Sequence, residues 1–201
     1  MSRFALIACA SACTAAQAQA ATVSVHVVDA GGQPVSDAVV TIRPPAGPPT
    51  QPIRFAWRMA MVQKDITFNP HVLIVPVGAT VAFPNQDKVR HHVYSFSKPA
   101  RFELKLFGRD ETRSYTFTRP GAVALGCNIH DTMSGFIKVV DTPFAGKTDA
   151  AGNVSIPSVT AGAATLTVWH PRLKAKDNEA SFALPVSAIG DVSRQLRLSL
   201  R

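Results

Sequence analysis

What most limits the folds open to this chain is a series of short apolar segments at even spacing between residues 63 and 140. Segments 72–75, 80–83, 92–96, 102–107, 113–117, 122–125 and 136–140 are each too short for a helix that buries one face, and Gly or Pro separates most of them. Short strands with turn residues between them are the pattern of an all-β, antiparallel sandwich or barrel. No stretch carries a sustained 3.6-residue apolar period, so no long helix is expected.

The flanks read differently. Thr22-Val23-Ser24-Val25-His26-Val27-Val28 alternates with period two and predicts a strand. Asp29-Ala30-Gly31-Gly32-Gln33-Pro34 is turn chemistry, and residues 38–42 predict a second strand, so a hairpin or a near relative is expected. Five prolines in the nine residues 44–52 exclude regular structure and predict an extended linker. Residues 55–62 follow no single period, and a short helix around Trp57-Arg58-Met59 is one reading. Beyond Pro143, a turn at 148–152 leads into a strand, and further strands are expected at 164–169, 180–184 and 195–200. The chain has no internal repeat.

The first twenty residues form a class of their own. Arg3 precedes an apolar run over residues 4–12, and Ala18-Gln19-Ala20 is an A-x-A cleavage pattern, so residues 1–20 are expected to be a signal peptide with Ala21 as the mature N-terminus. The run is too short to span a bilayer, no other stretch approaches that length, and an exported, periplasmic protein is expected. Cys9 stands too near Met1 for a working lipoprotein signal, so no lipid anchor is expected. Cleavage also removes Cys9 and Cys13 and leaves Cys127 as the single thiol, which can make no internal disulfide. Losing Arg3 takes the basic residues from 21 to 20 against 13 acidic ones, a net charge of +7. These charges are scattered rather than blocked, which argues against nucleic acid as partner and leaves acidic protein partners as the expectation. Nothing in the composition sets an oligomeric state.

Cys127 does not stand alone. Cys127, His130 and Met133 place a thiolate, an imidazole and a thioether at three-residue intervals, directly after an apolar strand. Gly121, Gly126 and Gly135 disfavour a helix across this stretch, so it reads as a strand followed by a ligand loop. Two imidazoles, one thiolate and a weak thioether are the donors that suit a single copper ion cycling between Cu(I) and Cu(II). The missing imidazole must come from a neighbouring strand, and His91-His92 offers two candidates. With a period of two, His91 and Val93 share one strand face and His92 lies on the other.

At this point the stretch from Gln63 to Val140 resembles the cupredoxins of the plastocyanin and amicyanin type. Residues 78–93 fit G-x-T-V-x-F-x-N-x-D-x-x-x-H-x-V through Gly78, Thr80, Val81, Phe83, Asn85, Asp87, His91 and Val93, followed by Cys127, His130 and Met133. The resemblance implies a Greek-key β-sandwich with His91, Cys127, His130 and Met133 as copper ligands, His92 being the alternative to His91. It implies a supporting shell from Asn85, His92 and Asn128, although the family carries asparagine where His92 stands. It also implies that His130 lies near an apolar surface contributed by Pro84, Asn128 and Ile129. The two-residue gap between His130 and Met133 is similar to the short loop of amicyanin, which points toward amine (methylamine) oxidation. The implied function is single-electron transfer between redox protein partners, without catalysis; copper binding for trafficking, without an electron-carrier role, is the alternative reading.

The ends of the chain carry a second resemblance. Residues 29–40 read D-x-G-G-x-P-x-x-x-A-x-V and residues 148–152 read T-D-x-x-G. Both are similar to carboxypeptidase regulatory-like (transthyretin-like) domains, where they fall within one module. The expected organisation is therefore a small sandwich built from residues 21–60 and 142–201, interrupted by a copper domain at 61–141. His26, His71 and His170 fall outside the copper motif and are expected to be surface or hydrogen-bonded core histidines.

Overall fold

The computed structural model describes residues 20–45, 47 and 49–201. The expected signal peptide lies outside the described residues apart from Ala20, which opens the first strand. The described chain is all-β, with sixteen strands and one 3-10 turn at Lys176–Asn178. Among the described residues no helix is long and apolar enough to cross a membrane.

The chain begins with β1 (Ala20–Asp29) and β2 (Val39–Arg43). It continues through β3 (Val62–Lys64), β4 (Thr67–Asn69), β5 (Val72–Pro76), β6 (Ala79–Pro84), β7 (His91–Ser97) and β8 (Ala100–Phe107). Next come β9 (Thr112–Phe117), β10 (Gly121–Cys127) and β11 (Ser134–Val140). The last strands are β12 (Ala145–Lys147), β13 (Asn153–Thr160), β14 (Gly162–Trp169), β15 (Glu179–Val186) and β16 (Val192–Leu198).

These strands form two β-sandwiches. The inner one packs a five-stranded sheet, order β5-β11-β10-β7-β8, against the β6-β9 pair, with the β3-β4 hairpin closing one side. The outer one packs a three-stranded sheet, order β13-β1-β16, against a four-stranded sheet, order β12-β2-β14-β15. Each has its own core. In β1 the alternation expected from the sequence holds: Val23, Val25 and Val27 are buried while Ser24 and His26 lie on the other face. In the inner sandwich Val81 and Phe83 from β6, Phe117 from β9 and Val123, Leu125 and Cys127 from β10 meet in one cluster. Each such large apolar side chain contributes about 1.5–3 kcal/mol of burial.

Three expectations need correction. The segments 22–28 and 38–42 do not pair as a hairpin: β1 lies between β13 and β16, and β2 lies between β12 and β14. Both edges of β1 are already taken, and the turn that follows it, closed by Asp29 N–H to Gln33 O at 2.8 Å, carries the chain to the opposite sheet. No helix forms around Trp57, because the segment is tied down from outside, with Trp57 Nε1–H donating to Ile74 O at 2.8 Å. The ladders are mixed rather than wholly antiparallel, since β1–β16 and β11–β5 are parallel.

Where the sandwiches meet, Val39 and Trp169 pack on Val72, Ile74 and Val140. Phe136 meets Trp169 edge to face at 5.6 Å. Buried Lys138 reaches across to pair with Glu179, with its ammonium 5.8 Å from the Trp169 ring centre. This seam explains why all five residues of β5 are buried although it is an edge strand.

Candidate metal centre

At one end of the inner sandwich the sheet brings together residues far apart in sequence. Cys127 is the last residue of β10 and lies opposite Val93 of β7. His91, two residues before Val93, therefore shares the inward face with Cys127, although the register of β7 slips against β8 between these two positions. Beyond Cys127 the chain turns through residues 128–133, closed by Met133 N–H to His130 O at 2.9 Å, and enters β11 at Ser134. That turn returns His130 over the thiol.

Cys127 Sγ lies 3.8 Å from His91 Nδ1 and 3.5 Å from His130 Nδ1. The two imidazole centres are 4.9 Å apart. Two metal–ligand bonds of about 2.0–2.3 Å at tetrahedral to trigonal angles hold their donor atoms roughly 3.3–3.9 Å apart, so these separations suit one ion between the three groups. The three form a cluster able to bind a metal. His91 and Cys127 are buried, whereas His130 is half-buried at the rim. Met133 is also buried, in the same apolar cluster as Cys127.

The orientation of His91 has a specific cause. Its Nε2 lies 2.7 Å from Asp87 Oδ2, so Nε2–H donates to the carboxylate and Nδ1 presents its lone pair to the thiol. Asp87 is held in turn by the amides of Asp65 at 2.6 Å and Ile66 at 3.0 Å. Burial pushes the Asp87 carboxyl up, but the bonds from His91, Ile66 and Asp65 outweigh it and hold the group below the ordinary carboxylate range. Asp65 and Ile66 form the tip of the β3-β4 hairpin and both have positive φ, 53° and 54°. A β-branched residue in the left-handed region is strained, and here the carboxylate collects the two amides that this conformation turns outward.

Asn85 stitches the rest of the loop. Its Oδ1 accepts from Asp87 N–H at 2.8 Å, and its Nδ2 donates to Val89 O at 2.9 Å and Phe107 O at 3.2 Å. His92 points to the other strand face, with Nε2 2.7 Å from Glu103 Oε1. It is thus His91, not His92, that the fold places beside Cys127. His92 meets the ligand loop through its carbonyl, 3.4 Å from Asn128 N, while Asn128 and Ile129 are exposed beside His130. The brace that the sequence reading did not single out is Asp87. Its four-residue spacing to His91 was visible, but this spacing carries no contact in a non-helical loop until the fold is known.

Outside this cluster, His170 is buried and its Nδ1 accepts from Arg172 N–H at 3.2 Å. Burial holds its pKa below 6.5, and Arg172 adds to the effect. His71 packs edge to face on Phe136 at 5.4 Å.

No protein-family model matches the chain, and no curated protein matches it. Among solved structures, it is similar to the copper-containing nitrite reductase of Thermus scotoductus SA-01, at 30% identity and TM-score 0.40 over 45% of this chain. That match spans 25% of the reductase. A purple cupredoxin from Nitrosopumilus maritimus matches at 20% identity and TM-score 0.37, over 40% of this chain and 98% of its own. A variant of amicyanin in its reduced form matches at 22% identity and TM-score 0.39, over 50% of this chain and 98% of its own. These likenesses reach at most half of the chain, and the metal centre is defined by the chain's own residues.

Proposed function

We propose that this protein is a type 1 (blue) copper protein that carries single electrons between redox partners in the periplasm. The observation that carries the reading is a buried thiol flanked by two imidazole nitrogens at 3.5 and 3.8 Å, one of them fixed from behind by a carboxylate. His91, Cys127, His130 and Met133 would hold the copper. Copper bound there supplies one-electron exchange between Cu(I) and Cu(II). The chain's part is to keep the donors still. Asp87 locks the His91 tautomer, Asn85 fixes the loop that presents it, and the β-sheet anchors Cys127, so little has to rearrange when the charge changes. Burial excludes water from His91 and Cys127, while half-buried His130, flanked by exposed Ile129, gives an exit to a docked partner.

The net charge of +7 after signal removal favours acidic redox partners. The short ligand loop is the support for a role in amine (methylamine) oxidation. We read residues 61–141 as the copper domain, and residues 21–60 with 142–201 as the carboxypeptidase regulatory-like sandwich that carries it. No catalytic role is proposed for the copper site. The test is copper titration of the purified protein beside Cys127→Ser. The wild type should gain an intense visible thiolate-to-Cu(II) band at one equivalent, and the variant should lack it. A copper-loaded wild type with only weak, ordinary Cu(II) absorption would remove the assignment.

A further inference from the structure

Between the two sandwiches lies a cavity of about 990 Å³, separate from the metal centre: none of His91, Cys127, His130 and Met133 lines it. The free edge of β5 forms one wall, β12 and the start of β13 form another, and the irregular segment 54–58 forms the third. Phe55 and Trp57 stack in that segment with ring centres 4.5 Å apart and planes within 8°. The indole N–H of Trp57 is anchored on Ile74 O, so the flat pair is held in place rather than hanging in solvent. Pro143, Val154, Ile156 and Pro157 add apolar surface to the lining.

The charge in this cavity is one-sided. Arg54, Arg58 and Lys147 line it, and among the described residues no Asp or Glu does. Lys147 is committed to Asp37 at 2.6 Å. Arg54 and Arg58 make no ion pair or side-chain hydrogen bond among the described residues, and residues 1–19, Ala46 and Pro48 include no acidic residue that could serve them. Two uncommitted arginines and a stacked aromatic pair lining one cavity suit a ligand that is both planar and anionic. A neutral apolar ligand would leave the arginines unmatched, and a small inorganic anion would leave the aromatic wall bare. The volume lies within the range of small-ligand sites.

We propose that this seam is a binding site for an aromatic carboxylate: the planar ring lies against Phe55 and Trp57, and the carboxylate is taken by Arg54 and Arg58. Guanidinium groups match a carboxylate with paired, charge-assisted hydrogen bonds, whereas a hydroxyl in the same place offers no charge.

The test uses the copper-loaded protein with 2-naphthoate as probe, 2-naphthalenemethanol as its neutral counterpart, calorimetry, and Trp57 fluorescence. One saturable site is expected, with the acid bound at least about tenfold more tightly than the alcohol. Arg54→Gln with Arg58→Gln should bring the acid down to the alcohol's level. Both arginines are exposed, so the thermal midpoint and the visible copper band should not move. Trp57→Phe should cut the fluorescence response to the share that Trp169 gives, while calorimetry still reports binding. Equal affinity for acid and alcohol, or acid binding untouched by the double substitution, overturns the proposal. So does a concentration-dependent dimer in sedimentation that naphthoate fails to dissociate, since a second copy would then cover the seam.

Discussion

The two sandwiches use the same architecture and fill it differently. The apolar residues buried in the outer core are Ala, Val, Ile and Leu throughout, and its buried polar residues are Thr142, Thr148 and His170. The inner core mixes Phe68, Phe83, Phe107 and Phe117 with Met61, Met133 and Cys127, and it buries Gln63, Asn85, Asp87, His91 and Ser95. The aliphatic part is held by shape, and Thr142 and Thr148 tie the strands around it through bonds to the backbone. A core with polar groups at one end depends on each of them finding a partner, because an unmatched buried polar group costs about 1–3 kcal/mol. The outer sandwich can therefore act as a scaffold, while the inner one spends part of its stability on holding His91 beside a thiol.

The sharpest way to break this comparison is a pair of glycines. In the outer sandwich a Cβ at Gly152 would stand 2.4 Å from Val27 O, at φ +76°, and neither backbone can give way. Gly152→Ala should cost about 3 kcal/mol or more, read as a lower urea midpoint. In the inner sandwich a Cβ at Gly126 would meet the far end of the Tyr94 ring at 2.7 Å, and that ring can swing aside. Gly126→Ala should cost about 1 kcal/mol or less. Equal losses would mean that Tyr94 is as rigidly held as a main chain.

Next in size is Asp87→Ala. It removes the acceptor of three hydrogen bonds and should cost about 2–3 kcal/mol in the inner sandwich, while copper affinity falls roughly 10–100-fold as His91 loses its fixed tautomer. Copper titration by visible absorption checks the second part. An Asp87→Ala protein that binds copper as tightly as wild type would show that the sheet alone positions His91.

The seam separates the energetics of a buried charge from those of packing. Glu179→Ala leaves the buried Lys138 ammonium without its carboxylate and should cost about 1–2 kcal/mol, the partial exposure of Glu179 moderating the loss. Lys138→Met removes the charge and keeps the contact with Trp169, so it should stay within about 1 kcal/mol of wild type. Urea unfolding of both variants distinguishes them.

Much of this was legible in the sequence, for identifiable reasons. Alternation in β1 and β7 exposes itself because each strand has one wet face, which is how His91 rather than His92 comes to point inward. Cys127, His130 and Met133 sit in one turn, so their spacing is their geometry. The short hairpin of β3 and β4 left no trace, since three residues cannot display a period. Its tip is visible only through contacts: Asp65 and Ile66 adopt positive φ where the amides meet Asp87, and nothing local marks Ile66 for that conformation. The hairpin expected from β1 and β2 failed for the same kind of reason. Turn residues announce a reversal but not whether the chain returns beside itself or crosses to the facing sheet.

The smallest predicted effect is a pH dependence in the outer sandwich. The folded pKa of His170 is held below 6.5, first by burial and then by Arg172, with Asp37 opposing. Above pH 6.5 the residue is neutral whether the chain is folded or not, and its contribution is fully present. As the pH falls below that value the unfolded chain takes up a proton that the folded chain refuses, and stability is lost until the folded pKa is passed. His170→Gln should flatten this acid limb in urea midpoints measured across the window. An unchanged slope would place the acid sensitivity elsewhere.

The central claim is that one copper ion sits between His91, Cys127, His130 and Met133. Electron paramagnetic resonance of the copper-loaded protein tests it most directly. A thiolate-bound type 1 site predicts an unusually narrow copper hyperfine splitting that becomes ordinary in Cys127→Ser and persists in His92→Ala. A wide, ordinary Cu(II) splitting in the wild type, or loss of the narrow splitting in His92→Ala rather than in His91→Ala, would contradict the account.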